Sequence, residues 1–376
     1  MNVNRRRAVT LIQPYLPRYR YPLFERCHTL LAELDIGFEV LHGAPLGDQA
    51  WRGDAVGAAF AEAVRTRAFR VGRASLRWKP VVRRTAPCDL TIVELAAGAV
   101  ESLVLCAQRP ARTALWGHGY SAVSSSNWLD TRIEAWMMRR ARHVFVYTER
   151  GAAAAKRAGA LPSRVSVLNN TIDTSAIVGA ADRLDRPESA RRLGLSAGCL
   201  GPVGAFIGGL DQSKRIAFLL AAADLIHRSV PTFSLLVAGD GVCRRTIEAA
   251  AASRPWLRYI GPIDDQRKGA VANVADVLLN PGRIGLIAID SFAMAVPIVT
   301  TDWPLHAPEV DYLDDRTAVF TRDTAEDYAS AVVTLFRDQP RRRRLADACR
   351  AERSRFSIDA MARRFVDGVS AALEPP

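Results

Sequence analysis

The segment from Val277 to Leu313 constrains the fold more than any other part of this 376-residue chain. It begins with a short apolar run ending at Asn280-Pro281-Gly282, which is typical of a buried parallel strand that breaks into a turn. The small apolar segment from Leu286 to Ala295 predicts a helix that ends before Pro297. Ile298 to Thr301 predicts the next strand. We therefore expect a strand, a turn, a helix and a second strand of a parallel sheet.

The turn in this segment also predicts an anion site. Gly285 opens the helical part, so the free backbone N–H groups of the first helical turn and the helix dipole both point at the preceding loop. A second turn of this kind follows the apolar run at Val203 to Ile207. It reads Gly208-Gly209-Leu210, and Lys214 and Arg215 follow at the start of a long helical pattern. Both turns place glycines and cations where a phosphate would bind.

The amino-terminal half predicts another doubly wound sheet. A strand at Ala8 to Gln13, a helix at Pro22 to Leu34 and a strand at Phe38 to Leu41 open it. A later strand ends in Trp116-Gly117-His118-Gly119. Open α/β sheets bind ligands at the carboxyl ends of their strands, and flanking glycines let a ligand approach the backbone. We therefore favour a functional His118, with a core histidine as the alternative.

These motifs resemble the retaining glycosyltransferases of family 4, glycosyl transferases group 1, which have the GT-B fold. The usual E-x7-E pattern followed by A-M-A-x-G-x-P-V-V corresponds here to Gly282, Asp290 and Ala295. The usual G-R-L followed by Lys corresponds to Gly209 and Lys214. The resemblance is nearly continuous from about 203 to about 356. It is patchy before that, where W-G-H-G and the N-x-x-D segment ending at Asp173 carry it.

The resemblance implies an α/β protein of GT-B architecture, with two Rossmann-like domains facing each other across a cleft. We predict an acceptor-binding domain at 1–195 and a donor-binding domain at 196–356. The boundary falls in the polar, arginine-rich segment 173–199. Residues 357–376 would form a carboxyl-terminal helix that packs back on the first domain.

The implied activity is transfer of a sugar from a UDP- or GDP-sugar to a glycan, lipid-linked or small-molecule acceptor, with retention of configuration. No cofactor is expected, and no metal, because the sequence contains no D-x-D or H-E-x-x-H motif. Catalytic roles fall to His118, Lys214 and Asp290, where Asp290 would hold the ribose. The acceptor would meet Trp116, His118 and Tyr120. The donor would meet Gly208, Gly209, Lys214, Arg215, Gly239, Gly282, Arg283, Ile284, Gly285, Leu286 and Asp290.

Two other functions compete with this one. Glycine replaces the family's Arg at Gly209 and its first Glu at Gly282, so the alternative is a catalytically weakened GT-B scaffold that binds a nucleotide or glycan as a partner subunit. A dinucleotide-dependent Rossmann enzyme is disfavoured, because no G-x-G-x-x-G follows the first strand.

The formal charge of +12 comes almost wholly from arginine. We predict no nucleic-acid partner, because no recognised binding motif occurs. The basic segment 65–84 is either a solvated loop or helix face, or a contact for the acceptor or for an anionic membrane surface, and these alternatives remain open. Six scattered cysteines without a C-x-x-C pair, no convincing signal peptide and no long apolar segment predict a cytoplasmic protein, and membrane contact would place it at the inner face.

Overall fold

A computed structural model describes residues 6–46, 54–72, 74–120, 128–195 and 201–375. The contacts between Cα atoms divide the chain into two compact units. The first unit comprises Met1–Asp173 and Ser357–Pro376, and the second comprises Thr174–Phe356. The chain therefore leaves the first unit once and returns to it once.

Both units consist of alternating strands and helices. The strands are β1 Arg7–Gln13, β2 Ile36–His42, β3 Ala61–Ala63, β4 Arg67–Val71, β5 Ala74–Trp78, β6 Leu90–Glu94, β7 Thr113–Gly117, β8 His143–Val146, β9 Val165–Val167, β10 Val203–Ile207, β11 Ser234–Ala238, β12 Leu257–Tyr259, β13 Val277–Leu279, β14 Ile298–Thr301 and β15 Ala318–Thr321. The helices are α1 Tyr21–Glu33, α2 Val100–Gln108, α3 Trp128–Arg140, α4 Glu149–Arg157, α5 Ser175–Arg183, α6 Arg186–Arg192, α7 Ile216–Ser229, α8 Arg244–Ala252, α9 Asp265–Val274, α10 Ile287–Met294, α11 Ala325–Arg337, α12 Gln339–Glu352 and α13 Ile358–Leu373.

The sheet of the first unit has the strand order β3-β2-β1-β6-β7-β8-β9 among the described residues, and all its pairs are parallel. The predicted opening strand, helix and second strand correspond to β1, α1 and β2. The basic segment 65–84, interpreted from the sequence as a loop or helix face, instead contains the antiparallel hairpin of β4 and β5. Successive residues of β4 point alternately to the two faces of the hairpin, because side chains in a strand alternate with a period of two residues.

The second unit has a parallel sheet of order β12-β11-β10-β13-β14-β15. The segment from Val277 to Leu313 forms β13, α10 and β14, as predicted. Both strands are buried, and so is every residue of α10, which explains why the pattern there is a continuous apolar run. Ala295 ends α10 in the left-handed conformation (φ +54°), a position where glycine is the commoner residue.

The last helix, α13, packs on the first unit. Ser357 caps it by accepting a hydrogen bond from the Ala360 amide at 3.1 Å. Its Phe365 ring lies 5.2 Å from the ring of the buried Trp116, and Asp359 pairs with Arg26 of α1 at 2.6 Å. The apolar face of α13 thus completes the core of the first unit.

The limits of the two units differ from the predicted domain limits at the first boundary. The division falls after Asp173 and not at 195, whereas the second division falls at 356/357, where the prediction placed it. Helices α5 and α6 pack on α9 of the second unit. The Asn273 side chain fixes α5 there by donating hydrogen bonds to the carbonyls of Ala181 and Leu184 at 3.0 and 2.7 Å. The first boundary therefore precedes the polar helices instead of following them.

Candidate functional site

The loop after β10 turns sharply before α7 begins. Gly208 has a positive φ of +154°, and Asp211 then caps a short 3-10 turn at Gln212–Lys214. Arg215 follows in the left-handed conformation, with φ +55°. This path folds the Lys214 side chain back beside Gly208, where a Cβ would lie 3.7 Å from the lysine Cε.

The loops after β10 and β11 touch each other through their backbones. A Cβ on Gly239 would lie 1.8 Å from the carbonyl oxygen of Gly208, so only glycine fits there. The Gly208 amide donates to the Ala238 carbonyl at 3.1 Å, and the Leu210 amide donates to the backbone carbonyl of Asp240 at 2.8 Å. The glycines predicted from the sequence are therefore required by the close approach of two loops at the carboxyl edge of the sheet.

A cavity of about 350 Å³ opens where these loops meet. Five predicted donor-binding residues line it, namely Gly208, Gly209, Lys214, Gly239 and Asp290. The remaining lining residues are Ile207, Ala238, Asp240, Pro262, Ile263, Lys268 and Ile287. The structure thus brings together residues from 207 to 290 at the carboxyl edge of a parallel sheet, the usual position of ligand sites in such folds.

Lys214 contributes a largely buried cation to this cavity. Its ammonium donates a hydrogen bond to the Arg283 carbonyl. Burial lowers its pKa, and the charge of Arg283 adds to the effect, while the carboxylates of Asp211 and Glu309 oppose it. A cation that has lost hydration interacts strongly with an anion that enters the site.

Asp290 is buried, with 6% of its surface exposed, and it forms an ion pair that the sequence reasoning missed. The Lys268 ammonium lies 3.1 Å from Asp290 Oδ1 and 3.0 Å from an Asp265 oxygen. Burial raises the pKa of Asp290, and Lys268 opposes that shift. Burial would lower the pKa of Lys268, but the two carboxylates together raise it. No motif marks Lys268, because its contact with Asp290 spans two elements.

Gly282, which stands where the family has its first Glu, has no room for a side chain. A Cβ there would lie 2.5 Å from the Ser213 oxygen and 2.5 Å from the Lys214 carbonyl carbon. The Arg283 amide also donates to the Ser213 carbonyl at 2.8 Å. The turn after β13 is thus clamped against the loop after β10, and Gly282 serves close packing of the two backbones.

The other predicted donor-binding residues lie on this turn or next to it, outside the cavity lining. The Arg215 guanidinium pairs with Asp323 and lies 4.3 Å from the Phe218 ring centroid. The Arg283 side chain donates to Leu305 at 3.5 Å. Ile284 is fully buried, and Gly285 and Leu286 are partly exposed. Arg215 therefore has a partner in the fold and does not replace the family's Arg inside the cavity.

His306 holds the same turn in place. Its Nδ1 accepts from the Ile284 amide at 3.1 Å, and its Nε2 donates to the Thr301 carbonyl at 2.9 Å. Burial lowers the pKa of His306, the Thr301 carbonyl opposes this, and the nearby cations, first among them Lys214, lower it further. The imidazole is therefore neutral near pH 7 and connects β14 to the start of α10.

In the first unit, His118 follows β7 and its side chain is exposed. This exposure excludes the alternative of a core histidine. Its ring lies 4.9 Å from that of Tyr147. A Cβ on Gly119 (φ +78°) would lie 2.4 Å from the Gly151 oxygen, so the turn packs tightly on the start of α4.

The two residues predicted to accompany His118 have different surroundings. Trp116 is 4% exposed and packs within the core of the first unit. Tyr120 is partly exposed, and the Arg150 guanidinium lies 5.2 Å from its ring centroid. Trp116 is therefore positioned to support the turn, and the exposed surface there belongs to His118 and Tyr120.

Two absences within the described ranges bear on metals and membranes. Within these ranges no group of three or more His, Cys, Asp or Glu side chains is arranged to hold a metal ion. None of the helices described is both long and apolar enough to cross a bilayer. Cys199 lies outside the described residues, and Cys27, Cys106, Cys243 and Cys349 are free thiols.

Residues 201–338 match the family model described as Glycosyl transferases group 1. The resemblance inferred from the motifs is therefore confirmed, and retaining family 4 is consistent with this group. The chain is also 29% identical over 177 residues to 2-deoxystreptamine glucosyltransferase of Streptomyces kanamyceticus, over 45% of each chain. It thus spans about half the length of the curated relatives it matches.

Solved structures resemble the chain over almost its whole length. A glycosyltransferase from Rickettsia africae has a TM-score of 0.72 at 12% identity and covers 99% of this chain and 100% of its own. Anabaena HepE in complex with UDP has a TM-score of 0.69 at 14% identity, covering 97% of this chain and 100% of its own. The predicted fold class, two Rossmann-like halves of the GT-B fold, is therefore confirmed.

Proposed function

We propose that this chain is a glycosyltransferase that moves a sugar from a nucleotide sugar to an acceptor, with retention of configuration and without a metal. The observation that carries the proposal is the cavity of the second unit, where Lys214, Asp290 and two glycine turns meet within the segment matched by the group 1 family. Similarity to sugar-transferring relatives and to a structure solved with UDP supports a nucleoside diphosphate sugar as donor and favours UDP over the alternative, GDP.

Lys214 and the glycine turns would stabilise the diphosphate as it departs. The ammonium carries the charge, and Gly208, Gly209 and Gly239 add no side chain to the cavity lining, which leaves room for phosphate oxygens beside the lysine. Because the Lys214 cation is pre-positioned by its bond to the Arg283 carbonyl, little reorganisation is needed when negative charge develops.

Asp290 would accept hydrogen bonds from the ribose hydroxyls. Lys268 holds one carboxylate oxygen, which keeps the buried carboxylate compensated and fixes its orientation. His118, exposed at the end of β7, would act on the acceptor or the transferred sugar. A hydrogen bond from a positioned imidazole to a reacting hydroxyl is the ordinary chemistry for such a group.

The Lys214→Ala substitution tests the donor site. We expect it to weaken binding of UDP or GDP by about 1.5 to 3 kcal/mol, the scale of a charge-assisted hydrogen bond, as measured by isothermal titration calorimetry. Lys156→Ala, at an exposed position of α4, removes the same charge elsewhere and should leave affinity unchanged. Equal affinities in a folded Lys214→Ala protein would refute the assignment.

The stereochemistry and metal independence need a separate experiment. Turnover should persist in excess chelator, and NMR of fresh product should show the anomeric configuration of the donor. An inverted product, or activity lost in chelator and restored by manganese, would contradict this part of the proposal.

One observation favours a second candidate function, a non-catalytic GT-B subunit that binds a nucleotide or glycan. The backbone at Ser213 and Lys214 occupies the place of any side chain at Gly282, so the family's first Glu cannot be accommodated without movement. Nucleotide binding that depends on Lys214, combined with no transfer and no donor hydrolysis across a donor panel, would establish this alternative.

For the cellular context we propose a cytoplasmic protein with peripheral contact with anionic membrane at the inner face. The support is the arginine-rich hairpin of β4 and β5, where Phe69 is 45% exposed beside Arg67 and Arg70. Co-sedimentation with phosphatidylglycerol vesicles, lost in a Phe69→Ser/Arg70→Ser variant, would support the contact. Equal sedimentation of variant and wild type would oppose it.

A further inference from the structure

A second cavity, of about 430 Å³, lies in the first unit at the opposite edge of its sheet from His118. Its lining includes the residues that begin or precede several parallel strands. Arg7 begins β1, and Asp89, Arg112, Arg142 and Arg164 directly precede β6, β7, β8 and β9. Because the amino ends of parallel strands meet at one edge, these side chains converge although they are far apart in sequence.

The cavity is strongly cationic. Five arginines line it, with only the carboxyl groups of Asp89 and Glu374 to oppose them. Asp89 already accepts a hydrogen bond from the Ala8 amide at 2.8 Å. No ion pair of the described residues involves these arginines, namely Arg7, Arg112, Arg140, Arg142 and Arg164. The two carboxylates oppose five guanidinium groups without pairing with them, so the lining keeps an excess of positive charge.

Two of the guanidinium groups are fixed by neutral partners. Arg142 donates to the carbonyls of Ala372, at 2.8 Å, and of Glu374. Arg140 donates to the Cys106 carbonyl at 3.1 Å and lies 5.5 Å from the Trp136 ring centroid. Carbonyl and aromatic partners orient a guanidinium and leave its charge in place. Such orientation lowers the entropy lost when an anion binds.

The positive charge of these arginines also affects the pKa of the neighbouring His143. It is 3% exposed, and burial together with the charges of Arg142 and Arg164 lowers its pKa to about 4. Like charges held together raise the free energy of the fold unless an anion enters. A cluster that is costly when empty and compensated when occupied is the arrangement expected of a binding site.

We infer that this cavity binds an anion that carries two or more adjacent phosphate charges. The planar guanidinium fork matches phosphate oxygens, and several forks that converge suit a di- or triphosphate group. The volume lies within the usual range of small-molecule sites, about 300 to 1,000 Å³. The site is separate from the proposed donor cavity, because the two lie in different units and share no residue.

The phosphates could belong to a free oligophosphate or to a lipid headgroup. An apolar groove between α2 and α3, lined by residues that include Ala107, Ile133 and Trp136, adjoins the cavity. Arg140 connects them, because it lines the cavity, lies over Trp136 and donates to the Ala107 carbonyl at 3.4 Å. An acyl chain would fit such a groove, whereas a free oligophosphate would not use it.

Titration of the full chain with inorganic triphosphate tests the inference. A Lys214→Ala background removes any contribution from the proposed donor cavity. We expect Arg112→Gln/Arg164→Gln to weaken binding about tenfold or more, since two guanidinium forks are lost. The matched control, Arg343→Gln/Arg344→Gln on α12, carries the same charge change and should alter affinity by less than about threefold, since it acts only through the distant field.

Vesicles distinguish the two phosphate sources. Binding to vesicles that contain cardiolipin, whose headgroup carries two phosphates, but not to phosphatidylcholine vesicles, would assign a headgroup if it falls in the Arg112→Gln/Arg164→Gln variant and in Ile133→Ser. Triphosphate binding with no effect of Ile133→Ser would assign a free anion. If the Gln variant unfolds, Arg112→Lys/Arg164→Lys keeps the charge without the fork and should bind more weakly than wild type. Triphosphate and vesicle binding that are both unaffected by changes at Arg112 and Arg164 would overturn the inference.

Discussion

Gly239 in the second unit approaches the Gly208 carbonyl so closely that no Cβ fits, and Gly119 in the first unit approaches Gly151 in the same way. In the second unit the contact joins two loops at the carboxyl edge of a parallel sheet, and in the first unit it joins the turn after β7 to the first turn of α4. Behind this shared framework the side chains differ. The second unit places the charges of Lys214, Lys268 and Asp290 along the lining of its cavity. The first unit places the exposed His118 on an aromatic ring.

This difference between the two units shows that the backbone contact at the carboxyl edge of a sheet does not determine which ligand chemistry the edge carries. The glycine contacts fix where a pocket can form, because they bring two backbone segments within van der Waals distance. The side chains near each contact determine which ligand can bind. Cations with little exposure favour a diphosphate, whereas the exposed imidazole of His118, next to Tyr147, favours a polar ligand group that binds reversibly. Three substitutions test whether the carboxyl edges of the two sheets share the same backbone contact but differ in the chemistry of their side chains.

The largest effect is expected from Gly239→Ala. The new Cβ would meet the Gly208 oxygen at 1.8 Å and would also strain a backbone at φ +143°, so the second unit should lose about 3 kcal/mol or more of unfolding free energy. The control, Gly261→Ala, shares a positive φ of +71° but has open space around it, and it should cost about 1 to 2 kcal/mol. Urea denaturation measures both. Equal losses would mean that strain, not the loop contact, makes Gly239 necessary.

A smaller effect, of about a hundredfold on turnover, is expected from His118→Ala. That is about 2.7 kcal/mol of transition-state stabilisation, as for a positioned polar group, whereas the midpoint of thermal unfolding should hardly move because the side chain is exposed. Nucleotide affinity should also be unaffected, so kcat should fall while the KM for the donor hardly changes. Unaltered turnover would remove His118 from the mechanism. Proportionate loss of stability would assign it a structural role.

The smallest effect concerns acid stability of the first unit. His143 donates to or accepts from Ser166 Oγ at 2.8 Å, and its pKa in the fold is about 4, below the ordinary 6.5. A depressed pKa means that the unfolded state binds the proton first, so stability is complete above pH 6.5 and falls as the pH drops toward 4. The loss should reach about 2 kcal/mol at pH 5.

His143→Gln, which retains a hydrogen-bonding group, should flatten this acid slope while the two proteins are compared at pH 7.5 and pH 5 by tryptophan fluorescence. His306 of the second unit also has a lowered pKa and should add its own acid loss, which the substitution at His143 leaves intact. An unchanged slope in His143→Gln would show that other groups control acid unfolding of the first unit.

The sequence predicted those parts of the fold that depend on local pattern. The apolar run at Ile298 to Thr301 is β14, with the bounds expected, and residues 357–376, predicted as a carboxyl-terminal helix, contain α13. Glycine turns after β10 and β11 were also predictable, because close backbone approach excludes most other residues. The basic hairpin of β4 and β5 was interpreted as a loop or helix face because its arginines obscured the two-residue period.

Other features depend on contacts between distant elements and could not be predicted. Lys268 meets Asp290 across 22 positions, and nothing in its own neighbourhood indicates a buried partner. Gly282 was recognised as a missing Glu, but the reason for it, the backbone at Ser213, lies 69 positions earlier. The domain boundary was placed too late by composition, because α5 and α6 are polar outside and reveal their packing only through Asn273.

The return of α13 to the first unit has a consequence for the order of folding during synthesis. The core of that unit includes Met361, Phe365 and Val369, which the ribosome adds only after the whole of the second unit has been made. At about 5 to 20 residues per second, the first unit waits roughly 10 to 40 seconds with this part of its core uncovered. The second unit, made from one continuous stretch, can finish first, so the half that begins earlier on the ribosome is the half that matures last.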